Sequence, residues 1–166
     1  MRKNDPIRPT DDDARALARQ LIDDARFGAL AVIDPESGAP SVTRVAVGTD
    51  PKGNPVTLIS TLSSHTVALQ ANPRCSLLLG EPEGKGDPLT HPRITLYCTA
   101  KFLQRDSTAH AALRTHYLTS HPKAKLYIDF ADFSFVRFEV NGARLNGGFG
   151  KAFRLTAADV ARPGSG

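Results

Sequence analysis

One stretch decides the fold; it reads Thr57-Leu58-Ile59-Ser60-Thr61-Leu62-Ser63-Ser64-His65-Thr66 and is closed by Asn72-Pro73. An apolar, strand-like run ends in hydroxyl residues, and a helical pattern follows until the proline forbids its continuation. The first N–H groups of a helix have no internal partner and favour an anion, so this junction suits a phosphate. A well-capped helix with Ser63 or Ser64 as N-cap explains the same pattern without any ligand.

Length and composition bound the class of protein. A chain of 166 residues fits one domain with its own core, and the net charge of +4 is spread without a basic block. No run approaches a membrane span, and the start of the chain lacks the apolar core of a signal peptide. Cys75 and Cys98 lie in apolar runs and are predicted to be buried thiols rather than a disulfide. We therefore expect a cytoplasmic protein that makes no membrane contact.

The apolar periodicity predicts a mainly β protein. Helices are predicted over 14–25, 64–71, 107–119 and 123–128, and strands over 28–33, 41–48, 55–60, 75–79, 93–103 and 133–143. Short strands joined by hairpin turns indicate a six-stranded antiparallel β-barrel with flanking α-helices, of the α+β class. We expect a flexible start over 1–10, a single domain over 11–155 and a short tail over 156–166 that ends in disorder.

Three places in the chain carry a family resemblance. They are the strand Ser41-Val42-Thr43-Arg44-Val45-Ala46-Val47, in which Arg44 precedes Val45, the strand, helix start and Asn-Pro stop over 58–73, and the pair Asp129-Phe130-Ala131-Asp132-Phe133 and Asn146-Gly147-Gly148-Phe149-Gly150-Lys151-Ala152. In this order they resemble the pyridoxamine 5'-phosphate oxidase-like family of FMN-binding split barrels, over residues 14–153. The last pair is similar to the haem-utilisation branch of that family.

The resemblance implies an FMN site at the contact between the two subunits of a homodimer. Arg44 would bind the phosphate with its forked donors, and Val45 and Ala46 would border the flavin ring through their main chain. We expect Arg44 to lie in apolar surroundings, where an unpaired guanidinium is costly; a position on the solvated strand face is the alternative. Two further residues would donate to the ring edge or the ribityl chain, namely Ser60 and Thr61. The residues at the helix start would donate to the phosphate, namely Ser63, Ser64, His65 and Thr66.

The chain departs from the family in two ways. Ser64-His65-Thr66 stands where the oxidases usually show Ser-Arg-Lys, so two charge-assisted contacts of about 1.5–3 kcal/mol each are lost. His65 would recover part of that loss only when it is protonated, which predicts a pH-sensitive FMN affinity. The family's C-terminal tryptophan is also missing, so oxidation of pyridoxamine phosphate is not expected. Phe149 would instead stack on a planar ligand, and the alternative is a core phenylalanine beside a glycine-rich turn.

The leading functional prediction is an FMN-binding oxidoreductase that acts on a small molecule, with no side chain assigned as catalytic. The alternatives are a haem-binding or haem-degrading protein and a non-catalytic flavin-binding module. His110, His116 and His121 are not spaced as a helical metal site, so no metal is predicted. Nucleic acid is not an expected partner, because too few aromatic residues lie on the strands to form a stacking platform.

Overall fold

Nine strands and four α-helices build the fold in the computed structural model, which describes residues 6–164. The strands are β1 Ile7–Arg8, β2 Phe27–Ile33, β3 Pro40–Ala46, β4 Gly48–Thr49, β5 Pro55–Ser60, β6 Arg74–Leu79, β7 Arg93–Phe102, β8 Phe133–Asn146 and β9 Ala152–Thr156. The helices are α1 Asp12–Asp24, α2 Ser64–Ala71, α3 Thr108–Ser120 and α4 Ala157–Val160, with 3-10 segments at Pro88–Thr90 and Pro122–Leu126.

The strands form one mixed, open sheet in the order β3-β2-β6-β7-β8-β9-β1. β5 pairs with the first part of β8 and with β4, and β1 runs parallel to β9. β3 and β5 are not paired anywhere in residues 6–164, so the barrel stays open along that line. The predicted mainly β fold with flanking helices is confirmed, whereas the prediction of six antiparallel strands is corrected to nine strands in a mixed sheet.

The missed strands have a simple physical explanation. β1 and β4 are two residues long and carry no periodicity that a sequence could display. β9 follows the glycine-rich run 146–150, which predicts irregular structure. By contrast, β5 and α2 have the predicted bounds, because an apolar run precedes the helix start and Pro73 follows its end.

The apolar side chains form two separate cores. The larger one fills the barrel, and Leu30, Leu77, Leu96 and Phe138 are among its fully buried members. The smaller one lies between the outer faces of β5 and β8 and the α3 layer, by which we mean α3 together with Pro122–Leu126. Its seven buried residues are Val56, Leu58, Leu113, Tyr117, Ala124, Ile128 and Phe135.

The ends of the described chain are attached to the sheet. β1 pairs with β9, and α4 begins with a capping box between Thr156 and Asp159. Arg162 bonds Asp23 at 2.8 Å, although the sequence predicts disorder from residue 162. Residues 1–5 and 165–166, on which the predictions of a flexible start and a disordered tail partly fall, lie outside the described residues. The domain limits of 11 and 155 stay a prediction.

Both cysteines are free and buried, as predicted. They lie opposite each other on β6 and β7, and burial raises the pKa of Cys75 to about 12. Among the helices described, none has the length and apolar character needed to cross a membrane.

A candidate ligand cleft at the open edge of the barrel

An open cleft of about 260 Å³ lies where β3 and β5 run side by side without pairing. Six of the predicted site residues line it: Arg44, Val45, Ala46, Ser60, Ser63 and His65. The structure therefore brings together the two places, the strand that carries Arg44 and the hydroxyl-rich helix start, that the resemblance assigns to one site. The cleft exists because the barrel is not closed at this point, which leaves two strand edges facing each other.

Arg44 lies on the exposed face of β3, and the expectation of apolar surroundings is wrong. Side chains alternate along a strand, so the burial of Val45 turns Arg44 towards solvent. Its Cζ atom lies 5.4 Å from the ring centroid of Phe27, within the range of a cation–π contact. Within the described part of the chain its guanidinium has no hydrogen bond or ion pair, and its five N–H donors remain available to a ligand.

The start of α2 offers further donors. Ser63 is the N-cap residue but makes no side-chain capping bond, and its carbonyl accepts from the N–H groups of Thr66 and Val67. The N–H groups of Ser64 and His65 bond no other residue between 6 and 164. Ser64 is exposed, so these donors face open space at the positive end of the helix dipole.

Three residues predicted to serve the ligand already bond within the chain. Thr66 is fully buried, and its hydroxyl donates to the carbonyl of Ser60 at 2.6 Å. The hydroxyl of Ser60 donates to Asp132 at 2.5 Å, and the N–H of Thr61 donates to the carbonyl of the same aspartate at 2.7 Å. These bonds fix α2 and the turn before β8 to the end of β5, so they shape the cleft rather than reach into it.

His65 is half-buried at the wall of the cleft. Its Nδ1 lies 3.1 Å from the hydroxyl of Thr43, and its Nε2 is sealed from solvent without a partner among the described residues. Burial lowers the pKa of His65, so the imidazole is neutral at pH 7. The predicted contribution of a charged His65 to phosphate binding therefore requires more acid conditions than an ordinary histidine would.

Sequence reasoning missed the aromatic side of the cleft. Tyr127 and Phe133 line it, with ring centroids 4.9 Å apart, and Phe130 contacts Phe133 at 6.4 Å. Phe130 and Phe133 lie in the segment 129–133 that carries the haem-utilisation resemblance, and Tyr127 lies two residues before it. They reach the cleft because Phe133 pairs with Ser60 across β8 and β5, a long-range pairing that no local pattern reveals.

Phe149 does not lie in the cleft of its own chain. It is 95 % exposed on the tight β8–β9 turn, which is closed by bonds between Gly147, Gly148 and Lys151. β8 is 14 residues long, and at about 3.3 Å per residue it separates the turn from Phe133 by roughly 40 Å along the strand. The alternative of a core phenylalanine is wrong, and the predicted stacking of Phe149 on a ligand stays a prediction.

A family model described as CREG, beta-barrel matches residues 9–160. The chain belongs to the CREG β-barrel family. The match spans every described helix and strand except β1. It includes both edges of the cleft and the β8–β9 turn.

Individual proteins similar to this CREG-family chain include the chloroplastic heme oxygenase HOZ of Arabidopsis thaliana. It is 41 % identical over 117 residues, which cover 70 % of this chain and 34 % of that protein. A solved structure of a heme binding protein from Mycobacterium smegmatis is 31 % identical with a TM-score of 0.81 and covers 93 % of this chain and 61 % of that one. The chain therefore spans about a third of the plant protein and less than two thirds of the mycobacterial one.

The fold extends to the oxidase-like proteins. A protein related to general stress protein 26, of the pyridoxinephosphate oxidase family, from Clostridium acetobutylicum has a TM-score of 0.67 and 14 % identity. The likeness covers 91 % of this chain and 99 % of that one, and at this identity it concerns the fold alone. Together with the relatives above, it confirms the resemblance to the oxidase-like split barrels and their haem-utilisation branch.

Proposed function

We propose that this CREG-family chain binds haem in the cleft between β3 and β5 and that it does so as a homodimer. The observation that carries the proposal is the combination of side chains that line the cleft. It combines one uncommitted guanidinium, one neutral imidazole with an unpartnered Nε2 and two aromatic rings. The names of the two most identical relatives described above, a heme oxygenase and a heme binding protein, support this choice.

The residues present fit a haem. Iron accepts a neutral imidazole nitrogen, and the Nε2 of His65 has no partner among the described residues, so the ring would have to turn out of the cleft wall to present this nitrogen. A carboxylate is the natural partner of the free Arg44 guanidinium, and Tyr127 and Phe133 provide apolar cover for a planar ring. Haem would supply the iron redox chemistry, while these residues would hold and orient it. Leu62, next in the chain to the cleft residue Ser63, is 86 % exposed.

FMN is the second candidate, and the start of α2 favours it. The free N–H groups of Ser64 and His65 suit a phosphate, and the main chain of Val45 and Ala46 could border a flavin ring. Against it stands the shortage of cations, since Arg44 is the single cation that lines the described cleft. On this candidate the chain is either an FMN-dependent oxidoreductase for a small substrate or a non-catalytic flavin-binding module.

The outer face of the sheet supports the homodimer. It exposes Phe27, Ile33, Val42, Leu78 and Tyr97, and a groove of about 690 Å³ crosses β2, β6 and β7. A stable interface takes about 800 Å² from each partner. That is about 8 % of the 10072 Å² surface of the chain.

A second copy could also complete the ligand site. Arg44, Ala29, Leu78, Thr95 and Arg144 form one row across the outer face, with an arginine near each end. A two-fold contact is self-complementary, so packing about the middle of this row would set Arg144 of the partner subunit towards Arg44. We propose that the β8–β9 turn, with Phe149, likewise serves the partner's cleft.

Titrations with haem and, separately, with FMN test the proposal. The native chain should develop a Soret band that saturates at one haem per subunit, and His65→Gln should shift that band while leaving the dimer intact. Lys101→Ala removes an exposed strand cation that does not line the cleft and serves as control. Tighter binding of FMN than of haem would favour the second candidate, and binding of neither would refute both.

A further inference from the structure

We propose that the α3 layer, which leads into the wall of the cleft at Tyr127, is an acid-sensitive latch that opens when the imidazole of His110 takes up a proton. The inference rests on the proposed function only in treating the cleft as the ligand site. Opening of the layer is a property of the protein without ligand, and the two can be tested apart.

The layer is built to open separately from the barrel. Its core has seven buried residues and is distinct from the larger barrel core. Regions with few buried apolar contacts open locally at a lower free energy than the whole domain. The layer also leads directly into the wall of the cleft, because Pro122–Leu126 is followed by Tyr127 and then by the turn that holds Asp132 against Ser60.

His110 is built into the contact between the layer and the sheet. It lies in the first turn of α3, is 8 % exposed, and its ring meets Phe135 edge-on at 5.3 Å between centroids. Its Nε2 is buried without a partner in residues 6–164. A proton would add a charge and an unsatisfied N–H beside an apolar ring, and it would do so at the positive end of the helix dipole.

The charged groups around His110 oppose one another. Arg105, in the turn before α3, and Arg114, on α3 itself, disfavour a proton, whereas Asp106 and Asp129 favour one. Asp129 is already held by two bonds of 2.6 and 2.7 Å from Arg114. The sheet side contributes the uncharged ring of Phe135. Burial is the largest influence, and it lowers the pKa of His110.

His121 differs from His110 in the hydrogen bonds of its ring nitrogens. It stacks on Tyr117 at 4.2 Å at the other end of α3. Both of its ring nitrogens have partners, the hydroxyl of Ser120 at 2.8 Å and the carbonyl of Arg26 at 3.3 Å. A proton on His121 therefore leaves no N–H unsatisfied, whereas one on His110 does.

The lowered pKa of His110 decides in which direction the stability of the layer changes with pH. The unfolded chain takes up this proton near pH 6.5, the folded chain only at lower pH. The stability contributed by the neutral imidazole is therefore complete above about pH 6.5 and is lost as the pH falls below it. Each unit by which burial lowers the pKa is worth a factor of about ten in the opening equilibrium.

Hydrogen exchange with mass spectrometry tests the latch on the full chain without ligand, at pH 7.5 and 5.5, after correction for the intrinsic exchange rate. Amides of α3 should exchange up to about tenfold faster at pH 5.5, while those of β6 and β7 stay unchanged. His110→Gln should remove this pH dependence, even if the buried amide weakens the layer at both pH values. His116→Gln changes a partly exposed histidine of the same helix and should behave like the native chain.

Three outcomes would overturn the latch: equal protection of α3 at both pH values, simultaneous loss of protection in β6 and β7, or an unchanged pH response in His110→Gln. If His110→Gln fails to fold, the native chain and His116→Gln still decide, with β6 and β7 as the internal reference. A chain that opens as described but binds neither haem nor FMN would refute the proposed function and leave the latch standing.

Discussion

The cleft between β3 and β5 and the turn between β8 and β9 differ in what each one lacks. The cleft has free donors at Arg44 and at the start of α2 but is open to solvent on one side. The turn presents Phe149, which is 95 % exposed, on a backbone held by its own hydrogen bonds. The cleft and the β8–β9 turn lie apart within one chain. In the proposed homodimer, the turn of one protomer would lie against the cleft of its partner.

The largest effect is expected from the cleft. Arg44→Ala removes the one cation among the described residues that line it, and a charge-assisted contact is worth about 1.5–3 kcal/mol. Haem affinity should fall about 10- to 100-fold in an absorbance titration, while Lys101→Ala leaves it unchanged. Equal affinities of Arg44→Ala and the native chain would show that the ligand binds elsewhere.

A smaller effect on ligand affinity is expected from the β8–β9 turn. Phe149→Ala removes an exposed ring, so the midpoint of thermal unfolding should not change. The ligand affinity should fall about two- to tenfold, as expected for the loss of one aromatic contact of about 0.5–1.5 kcal/mol.

Mixing two variants shows whether the turn acts across the dimer. If Phe149 serves the partner's cleft, a mixed dimer of Arg44→Ala and Phe149→Ala chains contains one site with both changes and one site with neither. Mixing the two proteins should then restore native affinity in up to about a quarter of all sites, since half of the randomly formed dimers are mixed. No restoration would mean that Arg44 and Phe149 of one chain serve the same site, or that Phe149 serves none.

The pH dependence of binding separates the two ligands at the cleft. Because burial lowers the pKa of His65, its imidazole is neutral at pH 7 and takes up a proton only below the ordinary value of about 6.5. Haem affinity should therefore fall as the pH drops from 7 to 5, whereas attraction of a phosphate would make FMN affinity rise. His65→Gln should flatten either profile; an FMN affinity that rises with pH would contradict the role given to His65.

The smallest effect concerns the shape of the cleft. Ser60→Ala removes the hydroxyl that donates to Asp132 and accepts from the N–H of Leu62. The free energy of unfolding should fall by about 1 kcal/mol, and ligand affinity by a few-fold at most. Urea unfolding and the haem titration measure the two quantities. A loss of affinity as large as that of Arg44→Ala would mean that Ser60 touches the ligand itself.

How far the sequence predicts this molecule depends on whether a feature is local. β5 and α2 follow from an apolar run and a proline, and their bounds agree with the structure. The exposure of Arg44 was readable from the period-2 alternation with Val45, yet the apolar character of the strand obscured it. The aromatic wall at Tyr127 and Phe133 was not readable, because it depends on the pairing of β5 with a strand more than seventy residues away. The separation of Phe149 from the cleft depends equally on strand length and topology.

A crystal structure of the chain with haem tests the central claim most directly. The account predicts a haem at the contact between two copies, touching Arg44 and His65 of one protomer and approached by the β8–β9 turn of its partner. A haem bound in the groove across β2, β6 and β7, or a complete site within a single chain, would contradict it.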